Sequence, residues 1–172
     1  MLVIHGVGTS VLLDPAVNLK RCITPGSIRR MLTARLLNRV GRPRRGAEHW
    51  MRYVSSYPSG GSGFDKSPVE RREALLDNAA GIFADADSGL GDVPEDRLGR
   101  IEIPTVIVDC KLSPAFLRTS CERLRELMPQ ARTATLEESG HHIAIDAREE
   151  LVALLRDVVA KHKDATAPHA SS

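Results

Sequence analysis

Titratable side chains follow two short β-type runs in the last third of the chain. Asp109 comes directly after the run 103–108, and His141 and His142 follow the run 131–136. α/β proteins place their chemistry just beyond the carboxyl ends of parallel strands. A histidine titrates near neutral pH, so at such a place it can take a proton from a nucleophile and return it to a leaving group. These residues are therefore candidates for acid–base chemistry.

The elements that would position these residues alternate in type after residue 100. The sequence pattern indicates strands at 103–108 and 131–136. Amphipathic patterns indicate a helix at 114–128, ended by Pro129, and a last helix at 147–159. Strand, helix, strand and helix in this order predict a parallel, right-handed crossover. The candidate residues would then lie at the carboxyl ends of the two strands.

The first hundred residues are predicted to be mostly helical. Residues 2–4 are typical of a short buried strand, which the glycines after them stop. Apolar residues recur at helical spacing from Ile28 and again around Trp50. A third helix is predicted after Ser67, which would cap it, with Glu70 completing a capping box.

Segment 100–159 resembles the closing part of the α/β-hydrolases. The shared features, in order, are a strand opening with Ile-Pro-Thr, a loop ending in Pro114, a helix ending in Met-Pro, a strand, Gly140-His141 and a helix. The resemblance implies an α/β fold class, namely a partial α/β-hydrolase fold with C-terminal parallel strands and helices and an inserted helical cap. It also implies that His141 is the general base for a serine or other nucleophile. The alternative is a loop histidine that caps the last helix, and His142 is expected to be a packing or solvent-facing neighbour.

The resemblance also implies a carboxylate that holds the histidine in the correct tautomer. Members of the family usually carry this acid just before the proline of the loop that follows the Pro-Thr strand, where this chain has Ser113. Asp109 is the nearest carboxylate and is the predicted acid, although it falls four residues early. Some members carry the acid after the preceding strand, which would instead point to Asp14.

The family's nucleophile elbow, G-x-S-x-G, is missing from the sequence. Ser62 has the first glycine of the motif but not the second, and it lies in the Ser-, Gly- and Pro-rich stretch 55–63, which is expected to be a flexible loop. His5 and the glycine after it resemble the family's oxyanion motif, but an arginine-rich helix follows instead of an elbow. We therefore align residues 2–4 with the strand that follows the nucleophile helix, and expect the nucleophile to come from upstream of Met1.

These assignments divide the chain into four segments. Residues 1–19 form a core strand and loop, 20–99 a helical cap-like region, 100–160 the C-terminal core segment and 161–172 a disordered tail. Three adjacent strands of a larger sheet would remain, and the first would expose an apolar edge. Such an edge is prone to pair, so self-association is an expected property of the isolated chain.

Composition narrows the function classes. Hydrophobic residues make up 42% and charged residues 27%, as in soluble globular proteins. No run approaches the ~18 apolar residues of a membrane span and no leader peptide is recognisable, so we predict a cytoplasmic protein with no membrane contact. Cys22, Cys110 and Cys121 have no metal-type spacing and are interpreted as reduced structural thiols. Residues 85–96 match only half of a calcium loop and are interpreted as a linker, so neither a metal nor a cofactor is predicted.

Positive charge is concentrated in residues 20–52, where Glu48 is the only acid. This stretch has three interpretations: the solvated face of cap helices, a site for an acidic group of the substrate, or a surface for nucleic acid or an acidic protein. Few aromatic residues lie near it, which argues against stacking of single-stranded nucleic acid. The favoured function is hydrolysis of an ester- or amide-type bond in a small-molecule substrate, and the alternative is a non-catalytic, hydrolase-like remnant that binds acidic partners.

Overall fold

The molecule is built on a small sheet with helices on both faces. The computed structural model describes residues 2–6, 9–15, 24–88 and 94–166. The strands in this part are β1 (Leu2–Gly6), β2 (Thr9–Leu13), β3 (Thr105–Cys110) and β4 (Arg132–Leu136). The helices in the same part are α1 (Pro25–Arg39), α2 (Pro43–Val54), α3 (Gly63–Lys66), α4 (Val69–Asp77), α5 (Ala79–Ser88), α6 (Glu95–Leu98), α7 (Ala115–Leu127), α8 (Ile143–Asp146) and α9 (Arg148–Thr166).

The strands follow one another in the order β1-β2-β3-β4. Strands β2, β3 and β4 run parallel, with Val11 opposite Val106 and Val108 opposite Ala134. Their carboxyl ends, and the residues that follow them, therefore meet at one edge of the sheet. This arrangement confirms the predicted α/β class with parallel C-terminal strands.

The strand that leads into the helices is β2, and not residues 2–4 as the sequence analysis expects. Residues 2–4 belong to β1, which pairs antiparallel with β2 at the outer side of a four-stranded sheet. Gly6 is paired with Thr9, so only two residues connect the strands, a length that joins antiparallel neighbours. The glycines after residue 4 thus indicate a hairpin, which the sequence analysis interpreted as the end of an isolated strand.

Helices α7 and α9 cover opposite faces of this sheet. Val106 and Val108 of β3 pack in a cluster with Val158 of α9. Ile107, between them, packs with Leu124 of α7 on the other face. Successive strand side chains point to opposite faces, so a strand buried on both sides is a continuous apolar run.

Residues 24–88, termed the helical region below, have an apolar core of their own. Phe64, Leu76 and Phe83 pack there with two alanines from α1 and α2. Helix α1 begins at a capping box formed by Thr24 and Ser27. Residues 24–27 have the types that are typical of a helix start, but the capping box itself was not predicted, because its second member is a serine in place of the usual Glu or Gln.

One ring contact joins the helical region to α7, and one hydrogen bond within the region corrects a prediction. The ring of Tyr53 stacks on Phe116 of α7, with ring centroids 5.3 Å apart. Ser67 does not cap α4: the helix begins after Pro68 without a side-chain cap, and the Ser67 hydroxyl donates to the carbonyl oxygen of Gly63. Helix α3 ends directly before Ser67, which brings that carbonyl within its reach.

Two further expectations concern the ends of helices α9 and α5. Helix α9 continues to Thr166, beyond the predicted end at residue 159, and residues 167–172 lie outside the described part. Residues 85–88 are the last turn of α5, so the first residues of the half calcium loop are helical.

In the described ranges, no cluster of three or more His, Cys, Asp or Glu residues could hold a metal ion. Nor does any helix in those ranges have the length and apolar character needed to cross a bilayer.

Candidate active site

His141 lies in a short loop between β4 and α8, termed the histidine loop (residues 137–142). Two backbone hydrogen bonds fix the end of β4 and this loop against the segment after β3. Lys111 N donates to Leu136 O at 3.0 Å, and Leu112 N donates to Ser139 O at 2.9 Å. The loop therefore begins at the carboxyl edge of the parallel strands, as the sequence analysis predicts for a chemical site.

The carboxylate in contact with His141 is Asp14. Its Oδ2 lies 2.8 Å from His141 Nδ1. Asp14 directly follows β2 and its side chain is fully buried, whereas the His141 side chain keeps 27% of its surface exposed. A carboxylate on Nδ1 favours the tautomer that carries its proton there, which leaves Nε2 as the basic nitrogen. The pair can therefore take a proton at one side of the imidazole while the other side is held.

Ser113 completes the surroundings of the Asp14 carboxylate. Its hydroxyl donates to Asp14 Oδ2 at 2.6 Å, and the side chain is fully buried. Asp14 N donates to Val108 O at 2.8 Å, and Asp14 has φ +40°, in the left-handed region that aspartate tolerates better than most residues. Within the described part of the chain, Asp14 Oδ1 is buried without a hydrogen-bond partner. Ser113 therefore does not take the place of a carboxylate; its hydroxyl is a hydrogen-bond donor to the Asp14 carboxylate.

Asp109 points to the face of the sheet that α7 covers and does not contact His141. It lies inside the strand, opposite Thr135, and its carboxylate pairs with Arg125 of α7. Two residues earlier, Ile107 also faces α7, because side chains two apart share a face. Of the two acids considered from sequence, the structure brings Asp14 and not Asp109 to the histidine. The available signal was the position of Asp14 directly after an apolar run, which the sequence analysis weighed below the position of Asp109.

His142 is buried and turns to the helical region. Its Nδ1 lies 3.4 Å from the Ser67 hydroxyl oxygen. Burial lowers the pKa of His142, and the neighbouring His141 lowers it further. The residue therefore stays neutral near pH 7 and acts as a packing element between the histidine loop and the helical region, as expected for it.

The hydroxyl groups around the site are engaged with other partners. Ser113 donates to Asp14, Ser67 to Gly63 O and Ser139 to Gly140 O. Ser62, in the glycine-rich stretch, caps α3 and donates to Asp65 Oδ2 at 2.7 Å. All four serines are buried, so none of them is presented as a nucleophile.

The thiols of the described part have no features of a reactive site. Cys110 and Cys121 are buried and unpaired, and burial raises the pKa of each. A thiol whose pKa is raised is a poor nucleophile, because the thiolate is the reactive form. Cys22 lies outside the described residues.

Several solved structures that resemble this chain in fold are described as hydrolases or esterases, and another is described as a bromoperoxidase. An α/β-hydrolase from Sphaerobacter thermophilus DSM 20745 is 22% identical, with a TM-score of 0.52 over 87% of this chain and 58% of its own. Carboxylesterase CesB from Bacillus subtilis is 15% identical, with a TM-score of 0.60 over 88% and 51%. A thermophilic esterase from Thermogutta terrifontis is 20% identical, with a TM-score of 0.58 over 88% and 55%. No family model and no curated protein matches the sequence.

These similarities concern the fold. The chain has a partial α/β-hydrolase fold and spans somewhat more than half the length of the solved structures it matches. The family resemblance drawn from segment 100–159 is therefore confirmed at the level of the fold. Sequence identity at this level does not transfer an activity, because one fold hosts many functions.

Proposed function

We propose that this chain carries the histidine–aspartate part of an α/β-hydrolase site that cleaves an ester- or amide-type bond in a small molecule. His141 is the general base and Asp14 is the carboxylate that orients it. The nucleophile is supplied by a residue other than the buried serines and thiols described above. The observation on which the proposal rests is the 2.8 Å contact between His141 Nδ1 and Asp14 Oδ2 at the carboxyl edge of parallel strands.

The chemistry follows from the two sides of the imidazole. Nε2 of His141 takes the proton of the nucleophile as it attacks the carbonyl carbon, and the imidazolium then gives that proton to the leaving group. The Asp14 carboxylate stabilises the imidazolium through Nδ1, and its burial strengthens this interaction. Hydrolysis of the covalent intermediate repeats the sequence with water as the nucleophile. No cofactor takes part in these steps.

The helical region is proposed to be the cap of this site, consistent with the cap-like segment 20–99. Tyr57, Gly63 and Ser67 of this region approach the histidine loop, which supports a position over the carboxyl edge of the sheet. Ester substrates are favoured because two of the similar structures are described as a carboxylesterase and an esterase. A cap of this kind shapes the pocket, so it would select the acyl or alcohol group.

The first test is made on the native protein from its source cells, by intact mass and by labelling with a fluorophosphonate. A mass above 18.8 kDa would show that the native protein contains more than the given sequence, and labelling of one serine would identify the nucleophile that the proposal needs. His141→Ala is then expected to lower labelling and p-nitrophenyl ester turnover by roughly 10²- to 10⁴-fold, because proton transfer is lost. His142→Gln is the matched control and should retain most of the activity. Turnover that survives His141→Ala would overturn the proposal.

A second candidate function rests on the outer surface of α1. Ile28, Leu32 and Leu36 are exposed there and line an open groove of about 440 Å³ that Arg29 also lines. Helix α1 contains no acidic residue. An apolar strip beside positive charge suits an acidic, amphipathic partner, which is the alternative considered from sequence.

Binding to a fluorescent peptide with alternating Glu and Leu residues tests this second candidate. Raising the salt from 50 to 300 mM should lower the affinity on the order of tenfold, because salt screens the attraction between the arginines and the glutamates of the peptide. Replacing Arg29 and Arg39 by Gln should weaken the salt dependence, while replacing the paired Arg52 should not. No binding at low salt would remove this candidate.

A further inference from the structure

One carboxylate joins the helical region to the residue that precedes His141. Tyr57 donates its hydroxyl to Asp146 Oδ1 at 2.6 Å. The other oxygen, Asp146 Oδ2, accepts the backbone N–H of Gly140 at 3.0 Å. Asp146 lies at the end of α8, so both of its oxygens are used to connect two segments that are 83 residues apart in sequence, Tyr57 and Gly140.

The same three residues are packed without spare space. A methyl group on Gly140 would lie 2.8 Å from Tyr57 Cε1 and 3.2 Å from Asp146 Oδ2. A methyl group on Gly63 would lie 3.0 Å from the Tyr57 hydroxyl oxygen and 2.8 Å from His142 Cβ. Glycine at these two positions is what allows the Tyr57 ring to lie directly against the histidine loop.

The Tyr57 phenol is suited to remain a donor. Burial raises its pKa, and the hydrogen bond and charge of Asp146 raise it further. The Lys66 ammonium lies over the Tyr57 ring, 4.2 Å from its centroid, and adds a cation–π contact. The phenol proton therefore stays on the oxygen that faces Asp146.

We infer that Tyr57 and Asp146 are positioning residues for His141, holding the backbone of the histidine loop so that the imidazole meets Asp14. This inference rests on the proposed function of His141. Gly140 has a wide choice of backbone conformations when it is free, and the Asp146 carboxylate removes that choice by fixing its N–H. His141 meets Asp14 through a single contact of 2.8 Å, and a hydrogen bond weakens steeply with distance and angle, so a small shift of the loop is enough to separate the pair.

The inference is tested by NMR on the full chain, with Tyr57→Phe as the main variant. Two signals are followed. The first is the downfield proton resonance of His141 Nδ1–H in its hydrogen bond to Asp14. The second is the hydrogen exchange rate of the Gly140 amide. Tyr57→Phe should broaden or remove the first signal and speed the second roughly five- to tenfold, the loss expected for one hydrogen bond that tethers the loop.

Tyr53→Phe is the matched control, because Tyr53 lies in the same helical region and stacks on Phe116. It removes the same hydroxyl group away from the histidine loop and should leave both signals unchanged. Asp146→Ala is the second variant and should reproduce the effect of Tyr57→Phe. The double variant should add little to Asp146→Ala alone, since both residues act through one carboxylate.

The outcomes separate this inference from the proposed function. A parent-like His141 signal in Tyr57→Phe, with normal Gly140 exchange, overturns the positioning role and leaves the His141–Asp14 pair intact. A parent chain without the His141 signal counts against the pair itself. In that case the Gly140 amide still decides whether Tyr57 orders the loop, because its bond to Asp146 does not involve His141.

Discussion

The surroundings of the histidine loop and the outer surface of α1 differ in how far their side chains are buried and bonded within this chain. Around the histidine loop, Asp14 and Ser113 are fully buried and hydrogen-bonded to each other, and glycines allow backbone contacts that no other residue would permit. On α1, Leu32 and Leu36 leave 59% and 62% of their surface exposed. Asp14, Ser113 and Gly140 are packed within this chain, whereas the outer surface of α1 exposes apolar side chains to the solvent.

The two regions differ in the free-energy cost of placing their side chains where they are. A buried carboxylate is tolerated only with partners, so the arrangement around Asp14 is specific and sensitive to single atoms. Exposed leucines cost little in themselves, but a strip of them is unusual on a free surface. The histidine loop is therefore the region to which we assign the proposed chemistry, and α1 is the region that exposes apolar side chains.

The largest expected effect distinguishes the two acids of the sequence analysis. Asp14→Asn removes the charge that faces His141 Nδ1 and should lower ester turnover of the native protein by roughly 10³- to 10⁴-fold. Asp109→Asn is the matched control: its carboxylate pairs with Arg125, so turnover should change far less. The measurement is kcat/KM for a p-nitrophenyl ester, with circular dichroism to verify folding. Equal losses in the two variants would contradict the assignment of Asp14.

The next largest effect is on the free energy of unfolding and compares two helical leucines, one from α7 and one from α1. Leu117 of α7 is fully buried, and Leu117→Ala should cost about 2–5 kcal/mol in the free energy of unfolding. Leu36→Ala on α1 should stay within about 0.5 kcal/mol, because that side chain is exposed. Urea denaturation gives both values. A large cost at Leu36 would mean that the α1 surface is covered in solution, by a second copy or another segment.

A smaller effect compares two glycines, one in each region. Gly140→Ala places a methyl group 2.8 Å from Tyr57 and should destabilise the protein by about 1–3 kcal/mol. Gly26→Ala lies in the first turn of α1 with only ordinary contacts and should be neutral or slightly stabilising. Thermal unfolding of the two variants under one buffer gives the comparison. A neutral Gly140→Ala would mean that the histidine loop yields more easily than its packing indicates.

The smallest effect is on the pH dependence of stability. Burial, and after it the charge of His141, lowers the pKa of His142 in the folded state, so the unfolded chain binds the proton at higher pH. Stability should therefore be complete above the pKa of about 6.5 of an unfolded histidine and fall as the pH drops below it. His142→Gln should reduce this loss, and His49→Gln should reduce it less.

The comparison of the two histidines tests their environments. His49 in α2 also has a lowered pKa, from burial and then the charge of Arg30, but it is less buried than His142. Denaturant midpoints at pH 7.5 and 5.0 provide the measurement. A larger effect at His49 than at His142 would show that the helical region, and not the histidine loop, is the acid-sensitive part.

Local sequence patterns were sufficient for much of the fold. Strands β3 and β4 and helices α7 and α9 were predicted because apolar spacing and prolines mark them within a few residues, whereas the parallel strand β2 was not predicted. The hairpin of β1 and β2 was missed, since a pair of glycines can end a strand or turn it back, and only pairing with a partner strand decides between these. The role of Ser67 was missed for a similar reason: the carbonyl it binds belongs to a helix that propensity alone does not define.

The site shows the same division. His141 was predicted as a base from its place in a series of motifs, and it stays a prediction until turnover is measured. The choice between Asp109 and Asp14 required the tertiary structure, because both follow or end an apolar run. What separates them is the face of the strand: Asp109 points toward Arg125, whereas Asp14 lies past the end of β2 beside the histidine loop.

The sequence by itself determined the class of fold, the order of strands and helices after residue 100 and the histidine at the end of β4, because these depend on periodicity and on turn residues close together in the chain. The tertiary structure decided which carboxylate meets that histidine, and that Asp146 joins Tyr57 to the Gly140 amide. Those contacts join residues 127 and 89 positions apart. Their geometry is set by strand register and helix packing, which no local pattern encodes.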